Sequence, residues 1–337
     1  MFASDLAPGI VAACAIAPAL LLLWLVIAAD SRPEPPRVVW MCVALGAVSV
    51  LPVAFVELAL LHHLVFAANP LLAAGEKALW IAALPEEAAK IAIIAAVALR
   101  SRHFDEPMDG VVYGTAVGLG FAAVENFLYV KGAPQLVMVA AIRGIMSVPF
   151  HGALGAIAGA YIAGARFGGA LGAHKGYGWP RTRLLVLAVL IPVVLHWLFD
   201  WCVFSLAVLS KHAAAAPPSG GNGFILLILV VWLAVGFGSI AFAVLLARRI
   251  ARRQKAALDT KRLPPAHWRA IWARSLFGLG LSVVAVALIV GGDWIGKLAG
   301  LVAGAIALAI SAHCAKYLNN AAQATRRRMA AEQITSP

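Results

Sequence analysis

The chain has 337 residues, 63% of them hydrophobic and 12% charged, with a mean hydropathy of +0.90. Those values exclude a water-soluble domain with an ordinary core and point to a polytopic membrane protein. The net charge of +12 does not indicate nucleic acid, because the basic residues gather in alternate loops, as the positive-inside pattern of a multi-span protein requires.

Windows of about 20 apolar residues, the length that crosses a bilayer core, predict an all-α transmembrane helix bundle of about nine spans. They cover 8–29, 38–60, 77–99, 110–130, 136–160, 184–208, 223–247, 275–292 and 295–317. The first run has no basic segment before it and no cleavage site after it, so it reads as a retained span. Three regions follow: two N-terminal spans in 1–76, a four-span core in 77–209, and three C-terminal spans with a basic loop and tail in 210–337. The connectors hold breaker chemistry such as Arg32-Pro33-Glu34-Pro35-Pro36 and Pro217-Pro218-Ser219-Gly220-Gly221. Arg32, Arg37, Arg100, Arg102, the Arg248–Arg274 block and Arg326–Arg328 all fall on one side of this arrangement. The N-terminus is therefore expected outside and the C-terminus in the cytoplasm. Cys14, Cys42, Cys202 and Cys314 are isolated and form neither a disulfide framework nor a metal-binding pair.

Ionisable groups inside such spans cost a few kcal/mol each, so a chain keeps them where other polar groups or water receive them. The third span carries Glu86, Glu87 and Lys90. The two glutamates are about 100° apart on a helix, and Lys90 lies one turn beyond both. Lys90 is expected to pair with one carboxylate while the other faces a cavity. The fourth span carries Glu125 and Asn126, with Gly114 and Gly118 at a spacing that lets a neighbouring helix approach closely. On the fifth lie Arg143, Ser147 and His151, followed by Gly152, Gly155 and Gly159; on the sixth, His196 and Asp200 share one face. Pro85, Pro149 and Pro192 stand just before these motifs and predict kinks that free the carbonyls of Ile81, Ile145 and Ala188. Freed backbone at membrane depth requires protein or water around it, so a wet cavity is expected there, opening to the extracytoplasmic side.

Formal charge narrows the chemistry. Glu86, Glu87, Glu125 and Asp200 face Lys90 and Arg143, leaving a residual of minus two with neutral histidines. Either a divalent cation balances it or carboxylates share protons, and both routes activate water. No His-Glu-x-x-His is present, so any metal site must be assembled from separate helices.

At these residues the chain resembles the PrsW family of intramembrane proteases. The matching motifs are Glu86-Glu87-x-x-Lys90, Phe121-x-x-x-Glu125-Asn126, His151 and His196-x-x-x-Asp200, in order on consecutive spans over about residues 77 to 208. The chain is more distantly similar to CAAX prenyl endopeptidases and bacteriocin-processing relatives, from which the shorter Glu-to-Lys spacing and Glu125 separate it. The resemblance implies a multi-span endopeptidase of the bacterial inner membrane, treated as a metalloprotease, that cleaves membrane-anchored proteins such as anti-sigma factors. No nucleic-acid partner is implied.

The expected mechanism is water attack on a peptide bond. Glu86 or Glu87 acts as base, with Glu86 slightly preferred, and His151 and His196 bind metal or stabilise the oxyanion. Asp200 orients His196, Glu125 completes a ligand set or tunes a histidine, and Lys90, Arg143 and Asn126 are supporting. A divalent metal, zinc before others, would take His151, His196, Glu125 and Asp200 as ligands. The rival reading is a proton- or ion-coupled transporter using the same buried Glu, His and Asp set.

Overall fold

The computed structural model describes residues 17–257 apart from 29, 31, 33, 132–135, 168–180 and 214–221. The expected spans at 275–292 and 295–317, and the first half of the span at 8–29, lie outside the described residues.

Every element among the described residues is helical. In chain order they are α1 (Ala17–Ala28), α2 (Pro36–His63), α3 (Pro70–Lys77), a π-helical turn (Ala78–Ala83), α4 (Leu84–Arg100), α5 (Pro107–Lys131), α6 (Leu136–Ile145), α7 (Ser147–Phe167), α8 (Arg181–Ala213) and α9 (Asn222–Ala257). Among the described residues five runs are long and apolar enough to cross a membrane, fewer than the nine expected: Pro36–His63, Pro107–Tyr129, Ile142–Phe167, Arg181–Lys211 and Gly223–Arg253. The protein is thus a multi-pass integral membrane protein, all-helical over the described residues.

α5 and α7 form the centre. In their apolar windows 72% and 83% of the residues are buried, against 11% in α9 at the rim. Glycine explains how the central pair packs. A Cβ at Gly114 would overlap the carbonyl of Gly155, and one at Gly159 would overlap that of Gly110. Only hydrogen fits between these backbones, which is the close approach that the glycine spacing predicts. The outer helices turn the opposite face outward: Val48, Leu51, Phe55 and Leu58 of α2 are all exposed, as lipid contact requires.

Each of the three prolines acts differently. Ahead of Pro85 the helix widens into the π turn, and the Leu84 N–H donates to Leu79 O, five residues back. Proline removes one donor and crowds the preceding turn, and the wider turn accommodates it without a break. At Pro149 the helix is interrupted between Ile145 and Ser147, and hydrogen bonds from Met146 N to Ile142 O and from Phe150 N to Met146 O carry it across. Pro192 lies inside α8, which continues through it. Further out, Asn69 caps α3 by accepting from the Leu71 and Leu72 N–H groups. Trp197 and Trp201 of α8 then donate to the Gly75 and Leu71 carbonyls, fixing α3 against α8.

Candidate active site

Four helices turn their ionisable residues to one place. Glu86, Glu87 and Lys90 come from α4, Glu125 and Asn126 from α5, His151 from α7, and His196 and Asp200 from α8. Arg143 of α6 closes one side. Lys90 is fully buried, and Glu86, Glu87, His151 and His196 are no more than 5% exposed.

The geometry differs from the expectation at Lys90. Its ammonium does not choose one carboxylate: Nζ is 2.6 Å from Glu87 Oε1, 3.3 Å from Glu86 Oε2 and 3.0 Å from His151 Nδ1. It also stands over the Phe121 ring, 4.4 Å from its centroid, which adds a cation–π contact. The glutamates are nevertheless unequal. Glu87 is held by Lys90 and by His196 Nδ1, which donates to Oε1 at 2.8 Å. Glu86 is looser, with His196 Nε2 at 3.9 Å and His151 Nδ1 at 4.0 Å. It is the carboxylate with room to take a proton.

Each histidine has a further carboxylate at Nε2. His151 Nε2 lies 3.0 Å from Glu125 Oε2, and His196 Nε2 lies 3.4 Å from Asp200 Oδ2. Such partners fix ring orientation and tautomer. Arg143 anchors the first of them, with Nη2 2.9 Å from Glu125 Oε1 and Nε donating to Asn126 Oδ1 at 2.8 Å. The side chains of Glu125, Asp200 and Arg143 are 15%, 18% and 20% exposed, so the open rim of the cluster lies on their side.

Glu86, Glu87, His151 and His196 each offer a ligand atom, all within 4.8 Å of one another. Two imidazoles and two carboxylates are a donor set suited to zinc. Glu87 Oε2 has no hydrogen-bond partner among the described residues, which leaves a buried acceptor available. By type, number and residual charge the residues fit a divalent ion. Lys90 is the competing cation, since its ammonium holds the same His151 nitrogen that a metal would take. Glu125 and Asp200, read from sequence as ligands, stand outside this group of four and lie against the Nε2 atoms of His151 and His196.

The sequence reading passed over Phe150. Its ring meets His151 and His196 edge-on, with centroids 6.1 and 5.9 Å away, and stacks on Phe199 at 4.2 Å. It forms the apolar wall of the cluster. Its one signal in the sequence is its place between Pro149 and His151.

The sequence model of the PrsW family intramembrane metalloproteases matches residues 34–237, a range that contains every residue of the cluster. Among curated proteins, the chain is similar to Protease PrsW of Bacillus subtilis, 33% identical over 178 residues, covering 52% of this chain and 73% of that protein. Protease PrsW of Oceanobacillus iheyensis is 31% identical over 186 residues, 55% of this chain and 79% of its own. Protease PrsW of Clostridioides difficile is 32% identical over 123 residues, 36% and 49% of the two chains. No solved structure matches the chain.

Proposed function

The chain belongs to the PrsW family of intramembrane metalloproteases, and from that premise we propose that it hydrolyses a peptide bond in or near the membrane segment of a membrane-anchored protein, an anti-sigma factor being the class implied. The observation that carries this reading is the convergence of Glu86, Glu87, His151 and His196, from three helices, within 4.8 Å in a buried setting.

Glu86 is the base. It is the less restrained of the two carboxylates, and a water beside it would lie close to both histidines. Glu87 is a positioning residue: it holds Lys90 in place and fixes His196 through Nδ1. That leaves the Nε2 edge of His196, between Asp200 and Glu86, to donate to the oxyanion or to the departing amine. Burial strengthens these electrostatic effects by excluding bulk water. Substrate enters over Glu125, Asp200 and Arg143, the exposed rim. On the expected topology that rim faces outward, with the N-terminus outside and the C-terminus in the cytoplasm.

The metal-dependent form of this proposal places zinc on His151 and His196 with one or both glutamates, while Glu125 and Asp200 support the rings. When bound, zinc would supply Lewis acidity and a more acidic water.

The test is purified protein in vesicles with a reporter membrane substrate, with and without chelator. Cleavage that is lost in Glu86→Gln supports the reading. Loss on chelation and return with zinc supports the metal form, whereas full cleavage under chelator removes it. A folded wild-type protein that conducts a Glu86-dependent ion flux and cleaves nothing would favour the transporter instead.

A further inference from the structure

Away from the cluster, the start of α2, the end of α4 and the turn after it border an open groove of about 510 Å³. Arg37, Arg100, Arg102 and His103 line it, with Val38 and Met41 as its apolar side. Four other cations among the described residues have defined partners: Arg32 meets Glu106, Arg143 meets Glu125, Lys90 meets both glutamates, and Arg166 donates to the Ala98 carbonyl. Among the described residues Arg37, Arg100 and Arg102 have no carboxylate within ion-pair distance, and the contact of Arg102 is to His103 Nε2 at 3.4 Å.

Helix stability does not account for Arg37. It stands in the first turn of α2, where the helix dipole disfavours a cation. A topology signal does not account for the groove either, because positive charge anywhere in the connector would serve that purpose. The start of α2, the end of α4 and the turn after it instead bring three guanidinium groups to one concavity.

The surface below the groove identifies the occupant's other half. Met41, Leu45 and Val48 recur at helical spacing on α2 and are 44%, 41% and 63% exposed. A basic groove that continues into an exposed apolar stripe fits an amphiphile, not a free anion. Basic pockets between membrane helices receive lipid headgroups on this principle. We propose that the groove binds an anionic phospholipid, its phosphate held by Arg37, Arg100 and Arg102 and an acyl chain lying along Met41, Leu45 and Val48. The site is independent of the peptidase reading.

The experiment is lipid binding by the full chain in detergent, followed by native mass spectrometry. The probes are dioleoylphosphatidylglycerol, dioleoylphosphatidylcholine and inorganic phosphate. Wild type should retain phosphatidylglycerol in preference to phosphatidylcholine, and inorganic phosphate should not displace it. The triple variant R37Q/R100Q/R102Q should lose that preference, with about fivefold weaker binding for each guanidinium removed. Arg102→Gln alone, outside any helix, should show one such step and keeps the test available if the triple variant unfolds. A control R248Q/R249Q variant on α9 should behave as wild type. Equal retention of the two lipids, a preference that survives in the triple variant, or an equal loss in the control each overturns the proposal. Displacement by inorganic phosphate would make it a free-anion site and overturn the lipid assignment.

Discussion

Two groups of buried carboxylic acids lie among the described residues, and they differ in what surrounds the acids. Glu86 and Glu87 converge with His151 and His196; Asp30, Glu106 and Asp109 converge near the start of α5. Both sets have ligand atoms within 4.8 Å of one another, and both are buried. In the second set, backbone and arginine take up one oxygen of each acid, while Asp30 Oδ2 and Asp109 Oδ1 have no hydrogen-bond partner among the described residues. Asp109 Oδ2 accepts from the Asp105 and Glu106 N–H groups at 2.7 Å, capping α5. Asp30 Oδ1 accepts from the Arg32 N–H, Arg32 reaches Glu106 at 3.1 Å, and the Tyr113 hydroxyl donates to Glu34. This group ties the connector before α2 to the start of α5. The first set has two imidazoles, a lysine and a carboxylate held more loosely than its neighbour, the groups that the proposed hydrolysis would use.

The sharpest way to break that contrast is Glu86→Gln. Cleavage of a reporter substrate should fall by roughly 10²–10⁴-fold while the unfolding midpoint changes little. Glu87→Gln should lose cleavage and stability together, because Glu87 is a partner of both Lys90 and His196. If the two variants behave alike, the assignment of base and positioning roles fails. Lys90→Met should cost about 3–5 kcal/mol of unfolding free energy, since it leaves two buried carboxylates without their cation. Chemical denaturation in detergent measures it.

In the acid group the effects are smaller and bear on stability alone. Asp109→Ala should cost about 1 kcal/mol through the lost cap, with cleavage per folded molecule unchanged. Glu34 gives the smallest effect, read through pH. Burial pushes its carboxyl up from 4.5 to about 7, opposed by the Tyr113 hydroxyl. The folded state therefore holds that proton more tightly than the unfolded chain, and the contribution is complete below about 4.5 and lost as pH rises through about 7. Melting temperature should fall over that window, and Glu34→Gln should flatten the fall. An unchanged slope would show that another group sets it.

The first group was legible in the amino-acid order because its residues stand in apolar runs, where charge is costly and needs a reason. Helical spacing then put Lys90 beside both glutamates and Asp200 beside His196. The second group gave no comparable signal. Asp30, Glu34, Glu106 and Asp109 sit in or beside connectors, where water ordinarily solvates charge, and Tyr113 and Arg32 reach them only across the fold. Phe150 was hidden for the opposite reason, as one aromatic residue among many apolar ones.

By itself the sequence determined the helical character of the described residues, the thin glycine faces of α5 and α7 and the roster of polar side chains, since all three follow from local geometry and the cost of leaving water. Tertiary structure decided that Lys90 bridges two acids and a histidine, that Glu86 is the looser carboxylate, and that Glu125 and Asp200 stand behind the imidazoles. Those outcomes depend on distances between different helices, and the packing of α5 on α7 with α4 and α8 sets them.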